Sequence, residues 1–418
     1  MKKNYLQLPR TSIALSALVF LLVFFFWGCS ETETVAPLYN PTFSNASVPE
    51  IVSVSPADSA FAGVDEITIT GHNFSTNAAD IKVYFNGLSA EIKSLDTNRI
   101  VLTAPNLALD SIRIKIYKTG LDRFSGIKLY KLISAFVVNN VFKINDTPYA
   151  LTFDKDGNIY VSMTVNKAGV GIKKILPDGS VKDFAPKGAE TFWSCLKFGK
   201  SGDLYAARSV KGIFKVAEGA TSAVWVSSSN GIGSITDFDF DQNGVMWGGG
   251  NNTSVYSITQ AKTVKAFPFT GNVRAVRVFN NYLYACGLSG GVESVWRFAI
   301  TDSSNLGAGE LYFDYSAAYP TGTIQAITFS ADGDLVLGTD GPEPIIIVKP
   351  DRSSQVLFPG VLNTLGKSKL NSLFWGSGAH LFYIRQGIDL TDAATPTEAI
   401  LKVNTKNTLG GAPYYGLQ

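Results

Sequence analysis

The sequence predicts an all-β chain in which a small β-sandwich precedes a six-bladed β-propeller. Glycine occurs 39 times, and turn dipeptides separate short runs of alternating apolar residues, a pattern typical of strands joined by tight turns. Hydrophobic residues make up 45% of the chain and charged residues only 17%, which favours a folded core. A phrase centred on phenylalanine recurs through the C-terminal part at intervals of 39 to 50 residues, and a strand-only repeat of that length predicts propeller blades.

Residues 1–28 predict a secretory leader. Cations at positions 2, 3 and 10 precede an apolar run at 13–27, which ends at Gly28 and Cys29. This is the order of a signal peptide, and the run is short for a spanning helix. The Gly-Cys junction resembles the lipobox of bacterial lipoproteins, which implies cleavage before Cys29, lipidation of that cysteine and attachment to a membrane.

Residues 29–48 predict a flexible tether, because they are rich in Pro, Asn, Ser and Thr and offer little to bury. The segment opens with Ser-Glu-Thr-Glu directly after Cys29. An acidic cluster at this place resembles the surface-export signal of lipoproteins in polysaccharide-degrading Gram-negative bacteria. The resemblance implies an outer-membrane lipoprotein exposed at the cell surface.

The charge balance disfavours nucleic acid as a partner. The whole chain has 36 basic and 34 acidic residues and a formal charge of +2, and without the three cations of the leader the charge becomes −1. A near-neutral chain without a run of Lys or Arg lacks the basic surface that nucleic-acid binding requires.

Residues 49–133 predict a compact β-sandwich. Alternating apolar residues mark strands near 67–69, 81–86, 100–104 and 112–117, with turn signals between them. The Pro-x-I-x-x-V-x-P opening at 49–56, the Gly-His-Asn-Phe step at 71–74 and the later Ala-Pro pair resemble the IPT/TIG immunoglobulin-like family. The resemblance implies an immunoglobulin-like fold that acts as a spacer or adhesive module, with His72 at a strand end rather than in a catalytic role.

Residues 136–418 predict the propeller. Four copies have a strand ending in Phe, a polar turn with Gly and a second strand rich in Tyr, Leu or Val, and weaker copies run through residues 276–285 and 372–384. Six copies imply six blades, and residues 136–144 fall where a strand should close the ring against the last blade. The repeats resemble those of NHL-type propellers and, more loosely, of gluconolactonase-like relatives. The marker residues are Phe153, Phe198, Phe240, Phe279, Phe329 and Phe374.

The predicted ligand site lies at the central opening, where the innermost strand of each blade begins. Aromatic, amide and charged side chains at these positions suit a carbohydrate or peptide ligand, because sugars combine apolar C–H faces with hydroxyl groups. The alternative that stays open is that these residues line the channel without binding a ligand. The six candidate ligand-binding residues are Tyr149, Trp193, Asp237, Arg274, Gln325 and Asn371.

No catalytic residue or metal ligand is predicted. The two histidines, His72 and His380, lie far apart in sequence, and the cysteines lack CxxC spacing. Cys195 and Cys286 are expected to be buried thiols. The Asp-Lys-Asp-Gly run at 154–157 leaves calcium possible, but it lacks the closing Glu of an EF-hand, so a hairpin turn is favoured and no cofactor is expected.

These features predict a non-enzymatic surface lipoprotein that binds a polysaccharide or a surface protein through its propeller. Two alternatives stay open. The first is a metal-dependent hydrolase of the gluconolactonase-like type, for which the looser resemblance implies Asp237, Asn371 and Glu190 as metal ligands. The second is a structural adhesin without a small ligand.

Overall fold

The structure is a computed structural model that describes residues 47–139, 141–143, 145–210, 212–302, 304–365, 368–387 and 398–418. The predicted leader, Cys29 and all but the last two residues of the predicted tether lie outside these ranges. Within them, no helix is long and apolar enough to span a bilayer. Strands dominate the described chain, so the all-β prediction is confirmed.

The N-terminal domain consists of two sheets packed face to face, with strand orders β1-β3-β7-β6 and β2-β9-β8-β4-β5. Isoleucines occupy alternate positions of two strands and are fully buried between the sheets, as the period of a strand requires. They are residues 67 and 69 in one strand and 112, 114 and 116 in the other. The strands are β1 (Glu50–Ser55), β2 (Ala60–Phe61), β3 (Glu66–His72), β4 (Ile81–Phe85), β5 (Leu88–Ala90), β6 (Ile92–Leu95), β7 (Arg99–Thr103), β8 (Leu109–Lys118) and β9 (Lys128–Ile133).

The remaining strands form four sheets of four strands and one sheet of seven. The first two blades are β11 (Asp146–Phe153), β12 (Ile159–Val165), β13 (Ala168–Ile175) and β14 (Val181–Ala185), then β15 (Cys195–Phe198), β16 (Leu204–Arg208), β17 (Gly212–Val216) and β18 (Ala223–Val226). The seven-stranded sheet contains β19 (Asp237–Phe240), β20 (Met246–Gly249), β21 (Asn251–Ile258), β22 (Val264–Phe279), β23 (Tyr282–Ser289), β24 (Val292–Ile300) and β25 (Leu306–Asp314).

The long strand β22 belongs to two blades. Its first half pairs with β21, and its second half pairs with β23, so the seven-stranded sheet comprises two four-stranded units that share one strand. The fifth blade is β26 (Ile324–Phe329), β27 (Leu335–Thr339), β28 (Ile345–Val348) and β29 (Ser354–Val356), and the sixth is β30 (Ser368–Trp375), β31 (His380–Gly387), β32 (Ala399–Asn404) and β10 (Phe136–Asn139).

The innermost strands form a closed ring in the order β11, β15, β19, β22, β26 and β30, with β30 in contact with β11. The sixth blade is completed from the other end of the propeller, because Phe136 of β10 pairs with Val403 of β32 in antiparallel register. The predicted closure of the ring by this segment is therefore confirmed. That the repeats are of the NHL type stays a prediction.

The marker phenylalanines pack between neighbouring blades. Phe153 stacks on Phe374 with ring centres 5.0 Å apart, and Phe279 stacks on Phe329 at 4.4 Å. The recurring phrase thus places one large ring at the end of each innermost strand, where it fills the space beside the adjacent blade.

Helices are few and short within the described ranges. One α-helical turn, α1 (Tyr315–Ala318), follows β25, and the four 3₁₀ helices of the described residues are Ala78–Asp80, Ser228–Asn230, Leu362–Leu365 and Tyr415–Leu417.

The last residues of the chain, 410–418, form what we name the C-terminal tail, which lies across the ends of the innermost strands. The Ala412 N–H donates to the Phe329 carbonyl at 2.9 Å. Tyr414 stacks on Phe374 with ring centres 3.9 Å apart, and the backbone of Gly416 lies directly against the Phe198 carbonyl. The tail therefore covers the channel at the end opposite to the start of the strands.

Candidate functional site

The mouth of the channel, where the innermost strands begin, is shaped by β-bulges. In four blades the pairing of the innermost strand skips one residue, and an extra residue of this kind turns its side chain away from the regular alternation. The four bulged residues are Tyr149, Arg274, Gln325 and Asn371. All four are among the predicted ligand-binding residues.

Ser194 and Thr236 occupy the corresponding place in the second and third blades. The Ser194 N–H donates to the Ala207 carbonyl at 3.0 Å, and the Thr236 N–H donates to the Gly249 carbonyl at 2.7 Å. In each case the following residue is the first regular partner in the ladder. The predicted positions in these two blades were therefore one residue away from the bulge.

The prediction of Trp193 as a channel residue was wrong for this reason. Its side chain is 5% exposed and packs in the core between the first two blades, with its ring centre 4.8 Å from that of Phe214. The residue before the bulge is buried in the other blades as well, as Ile235, Val273 and Ile324 show. Strand alternation at this place directs the side chain between blades and not toward the axis.

Asp237 follows the bulge by one residue, yet its carboxylate lies on the channel. Four of the six predicted residues, Asp237, Arg274, Gln325 and Asn371, line one common cavity. The cavity encloses about 50 Å³, which is room for a few waters or a small ion. Typical ligand pockets enclose roughly 300–1,000 Å³, so a sugar ring does not fit inside this channel.

Tyr149 lies at the rim and not inside the channel. Its ring stacks on Phe192 with centres 3.9 Å apart and planes 11° from parallel. The guanidinium of Arg208 lies 4.1 Å from the centre of the same Phe192 ring, so the two groups must occupy opposite faces of that ring. Glu190 forms an ion pair with Arg208, with Oε2 3.4 Å from Nε. Tyr149 is thereby fixed as the outer member of a three-layer stack.

A buried ion network joins three blades beneath the mouth. The Lys197 amine lies 3.7 Å from Asp237 and 3.6 Å from Asp239, and Asp239 also accepts a hydrogen bond from Arg277 at 2.6 Å. The Val276 N–H donates to Asp237 at 2.7 Å. The two cations balance the two carboxylates, so the network carries no net charge.

The pKa values of Lys197 and Asp239 favour their charged forms. Burial alone would lower the pKa of Lys197, but the carboxylates of Asp237 and Asp239 outweigh it and raise that pKa. Burial alone would raise the pKa of Asp239, but the cations of Lys197 and Arg277 hold it below its ordinary value. The network is thus a set of paired ions that bridges the second, third and fourth blades.

Two polar side chains at the mouth are held in fixed orientations. Arg274 donates from Nε to the Ile324 carbonyl at 2.6 Å and forms an ion pair with Glu293. The Gln325 amide nitrogen donates to Asp340 at 3.1 Å and to the Thr323 hydroxyl at 2.5 Å, which fixes the orientation of the amide. Hydrogen-bonding groups of this kind bind a ligand without a large loss of side-chain entropy.

The thiols and the acidic turn show no reactive geometry. Cys195 and Cys286 are buried; burial, and next the Asp237 carboxylate, raises the pKa of Cys195, and burial raises the pKa of Cys286. Asp154 accepts hydrogen bonds from the backbone of Asp156 and Asn158 at 3.0 and 2.9 Å, so its carboxylate closes the hairpin turn. In the described residues no group of three or more His, Cys, Asp or Glu is placed to hold a metal ion.

Several site residues were not predicted. Phe192 and Ser194 flank Trp193. Ser194 lies four residues before the marker Phe198, at the same distance as Tyr149 from Phe153, so a uniform count from the marker selects it. Lys197 and Arg277 break the apolar alternation of innermost strands, and an unexpected charge in a buried strand is the signal that identifies such a network.

Comparison with known proteins supports the fold. Residues 49–131 match the sequence profile of the IPT/TIG domain, and no curated protein matches the chain. A Bacteroides thetaiotaomicron protein described as a candidate phosphatase superposes with a TM-score of 0.56 at 10% identity, over 88% of this chain and 99% of that one.

Two further solved structures are less similar. An auxiliary nutrient binding protein from Bacteroides thetaiotaomicron gives a TM-score of 0.49 at 11% identity, over 87% of this chain and 99% of that one. Virginiamycin B lyase from Staphylococcus aureus gives 0.43 at 13% identity, over 87% and 97%. Identities this low concern the fold alone. By its family match and its sheet topology, the chain combines an N-terminal immunoglobulin-like domain of the IPT/TIG type with a β-propeller.

Proposed function

We propose that this chain is a lipid-anchored surface protein that binds a carbohydrate or peptide ligand across the mouth of its propeller and does not alter it chemically. The observation that carries the proposal is the stack of Tyr149 on Phe192 at the rim, beside the polar mouth. An aromatic ring next to fixed hydrogen-bonding groups suits a ligand with apolar faces and polar edges.

The size of the channel determines how such a ligand lies. A cavity of about 50 Å³ admits water but no sugar ring or amino-acid side chain of ordinary size. The ligand therefore rests over the opening, with its apolar face on Tyr149 and its polar groups toward Arg274, Gln325 and Asn371. The buried ions below give the mouth a rigid floor.

Binding is favoured over hydrolysis by the state of the carboxylates. Asp237 is engaged by Lys197 and by the Val276 N–H. Glu293 engages Arg274 and the Ile324 N–H through Oε1, and its Oε2 is buried without a hydrogen-bond partner, outside the lining of the cavity. A general base or a metal ligand needs a carboxylate that is free to accept a proton or to bind an ion. Glu190, which the hydrolase alternative also considers as a metal ligand, pairs with Arg208.

The test is binding of the full-length chain in detergent to arrays of polysaccharides and peptides, with product release measured on the same samples. Replacing Tyr149 by Ala is expected to weaken binding roughly tenfold, about 1.4 kcal/mol. Tyr282→Ala is the matched control, because this partly buried tyrosine follows the far end of the innermost strand β22. Unchanged affinity in folded Tyr149→Ala, or release of product by the wild type, would overturn the proposal.

The anchor is tested separately. We expect cleavage between Gly28 and Cys29, lipid on Cys29 and the folded domains outside the outer membrane. Cells given labelled palmitate should label the wild-type chain and not Cys29→Ser, and protease added to intact cells should degrade the wild-type chain. Label in Cys29→Ser would exclude lipidation at Cys29, and protection from protease would place the domains in the periplasm.

A further inference from the structure

The N-terminal domain exposes an aromatic and basic groove on the outer face of its β5-β4-β8-β9 sheet. Phe124, which is 46% exposed, lies between Tyr84 and Tyr117, with ring centres 5.8 and 5.7 Å away. The Lys115 amine lies 5.7 Å from the Phe124 ring centre. Arg113 lies on the same outer face, two residues before Lys115 on β8, because Ile112, Ile114 and Ile116 point into the core.

The groove has a rigid rim. The β4–β5 hairpin turns through Asn86 and Gly87, both with positive φ, as a two-residue turn of this kind requires. The Asn86 side-chain oxygen accepts a hydrogen bond from the Arg113 N–H at 2.8 Å, and the Asn86 N–H donates to the Arg113 carbonyl at 3.1 Å. The hairpin is thus fastened to the strand that carries both cations.

The cations of the groove lack carboxylate partners. In the ranges that the structure describes, no ion pair involves Arg113 or Lys115, whereas the nearby Asp110 pairs with Lys131 at 2.7 Å and Asp122 with Arg123 at 4.0 Å. The groove encloses about 850 Å³, and no acidic side chain lines it. Two uncompensated cations beside three aromatic rings attract an anion that also has an apolar face.

The shape of the groove distinguishes between anionic ligands. A membrane surface is bound by protruding apolar side chains that enter the lipid, whereas the side chains that line this groove beside its aromatic rings are polar or charged, namely Asn86, Ser111, Arg113 and Lys115. Aromatic faces stack on the C–H faces of sugar rings, and Arg and Lys pair with carboxylates carried by those rings. We propose that this groove is a second binding site, independent of the propeller mouth, for an acidic polysaccharide rich in uronic acids.

The experiment measures binding of the full-length chain in detergent to immobilised polygalacturonate, with dextran as the neutral polymer. We expect binding to polygalacturonate and not to dextran, weakened when the salt is raised from about 50 mM to about 500 mM. Lys115→Ala, Arg113→Ala and Phe124→Ala should each weaken it roughly fivefold to tenfold, since each removes a direct contact.

Lys93→Ala is the matched control, because it also removes one exposed lysine charge but from the opposite sheet, where Lys93 pairs with Glu66. It should bind as the wild type does, and melting curves of all variants should coincide. Equal weakening by Lys93→Ala would indicate unspecific attraction, and displacement of the protein by phosphatidylglycerol bicelles at equal anion concentration would indicate a lipid surface. Either result overturns the proposal, as does loss of binding in Tyr149→Ala alone, which would place the polymer on the propeller mouth.

Discussion

The guanidinium carbon of Arg277 lies 3.9 Å from the centre of the Tyr414 ring. Arg277 belongs to an innermost strand and is fully buried, and Tyr414 belongs to the C-terminal tail. The Arg277 side chain also donates to the carbonyls of Ala412 and Pro413, at 3.2 and 2.9 Å. A buried charge of the ring therefore has the tail as one of its partners and Asp239 as the other.

Replacing Arg277 by Met is expected to destabilise the propeller by about 3–5 kcal/mol, because it leaves the buried Asp239 with one cation less. Denaturant unfolding followed by tryptophan fluorescence measures the loss. Arg352→Met, which removes a half-exposed arginine 3.8 Å from Glu310, should cost under about 1 kcal/mol. Equal effects of the two changes would contradict a structural role for the buried network.

Deleting the C-terminal tail from residue 410 onward should lower the melting temperature and increase the binding of a hydrophobic dye. The deletion uncovers Phe374 and removes two carbonyl acceptors from Arg277. Deleting only the exposed Gln418 is the control. If the deletion prevents folding, Tyr414→Ala serves instead, with an expected loss of roughly 2–4 kcal/mol. A variant without the tail that melts like the wild type would show that the tail is not part of the ring.

The two thiols of the propeller are expected to resist modification in the folded protein. Cys195 and Cys286 are 4% and 1% exposed, and the raised pKa of each keeps the unreactive thiol form. A thiol reagent at about pH 8 should label neither cysteine until denaturant is added. In a mutant with Cys29 replaced by Ser, Cys195 and Cys286 are the two thiols that remain to be labelled. Rapid labelling of either thiol in the folded mutant would contradict its burial.

The free energy of unfolding should be highest at intermediate pH, because the buried ions at the channel lose their contribution at acid and at alkaline pH. The pKa of Asp239 is lowered by folding, so its contribution is present above its ordinary value of 3.8 and is lost as the pH falls below it. The pKa of Lys197 is raised, so its contribution is present below 10.5 and is lost as the pH rises through the folded value. Unfolding free energies measured across pH should decline at both ends, and Asp239→Asn should flatten the acid side.

The fold was predictable because its determinants are periodic. Each blade repeats one apolar phrase, and the marker Phe packs against the neighbouring blade wherever the phrase occurs. Even the weak fourth copy keeps its hairpin, since Asn280 and Asn281 adopt the positive φ that glycine supplies elsewhere. The β-sandwich followed from strand alternation in the same way.

The residues at the channel mouth were predictable to within one position. A shift of one position decides whether the side chain faces the channel or the core between two blades. A β-bulge shifts the alternation without leaving a mark in composition. The six predicted positions lie three to five residues before their marker Phe, and in the second blade the prediction fell on the buried Trp193 in place of Ser194. The tail was missed for another reason. Its Gly-Gly-Ala-Pro sequence is typical of a terminal loop, and the contacts of Tyr414 depend on strands far away in the sequence.

The pairing of β10 with β32 sets an order of events during folding. β10 is the first propeller strand to leave the ribosome and β32 is the last, so an emerging chain holds an unpaired sheet edge until β32 has been synthesised. Such edges are sites of misassociation between chains. We therefore expect chaperone dependence to be greatest for chains that stop before residue 399, and expression yields of nested truncations to rise abruptly once β32 is included.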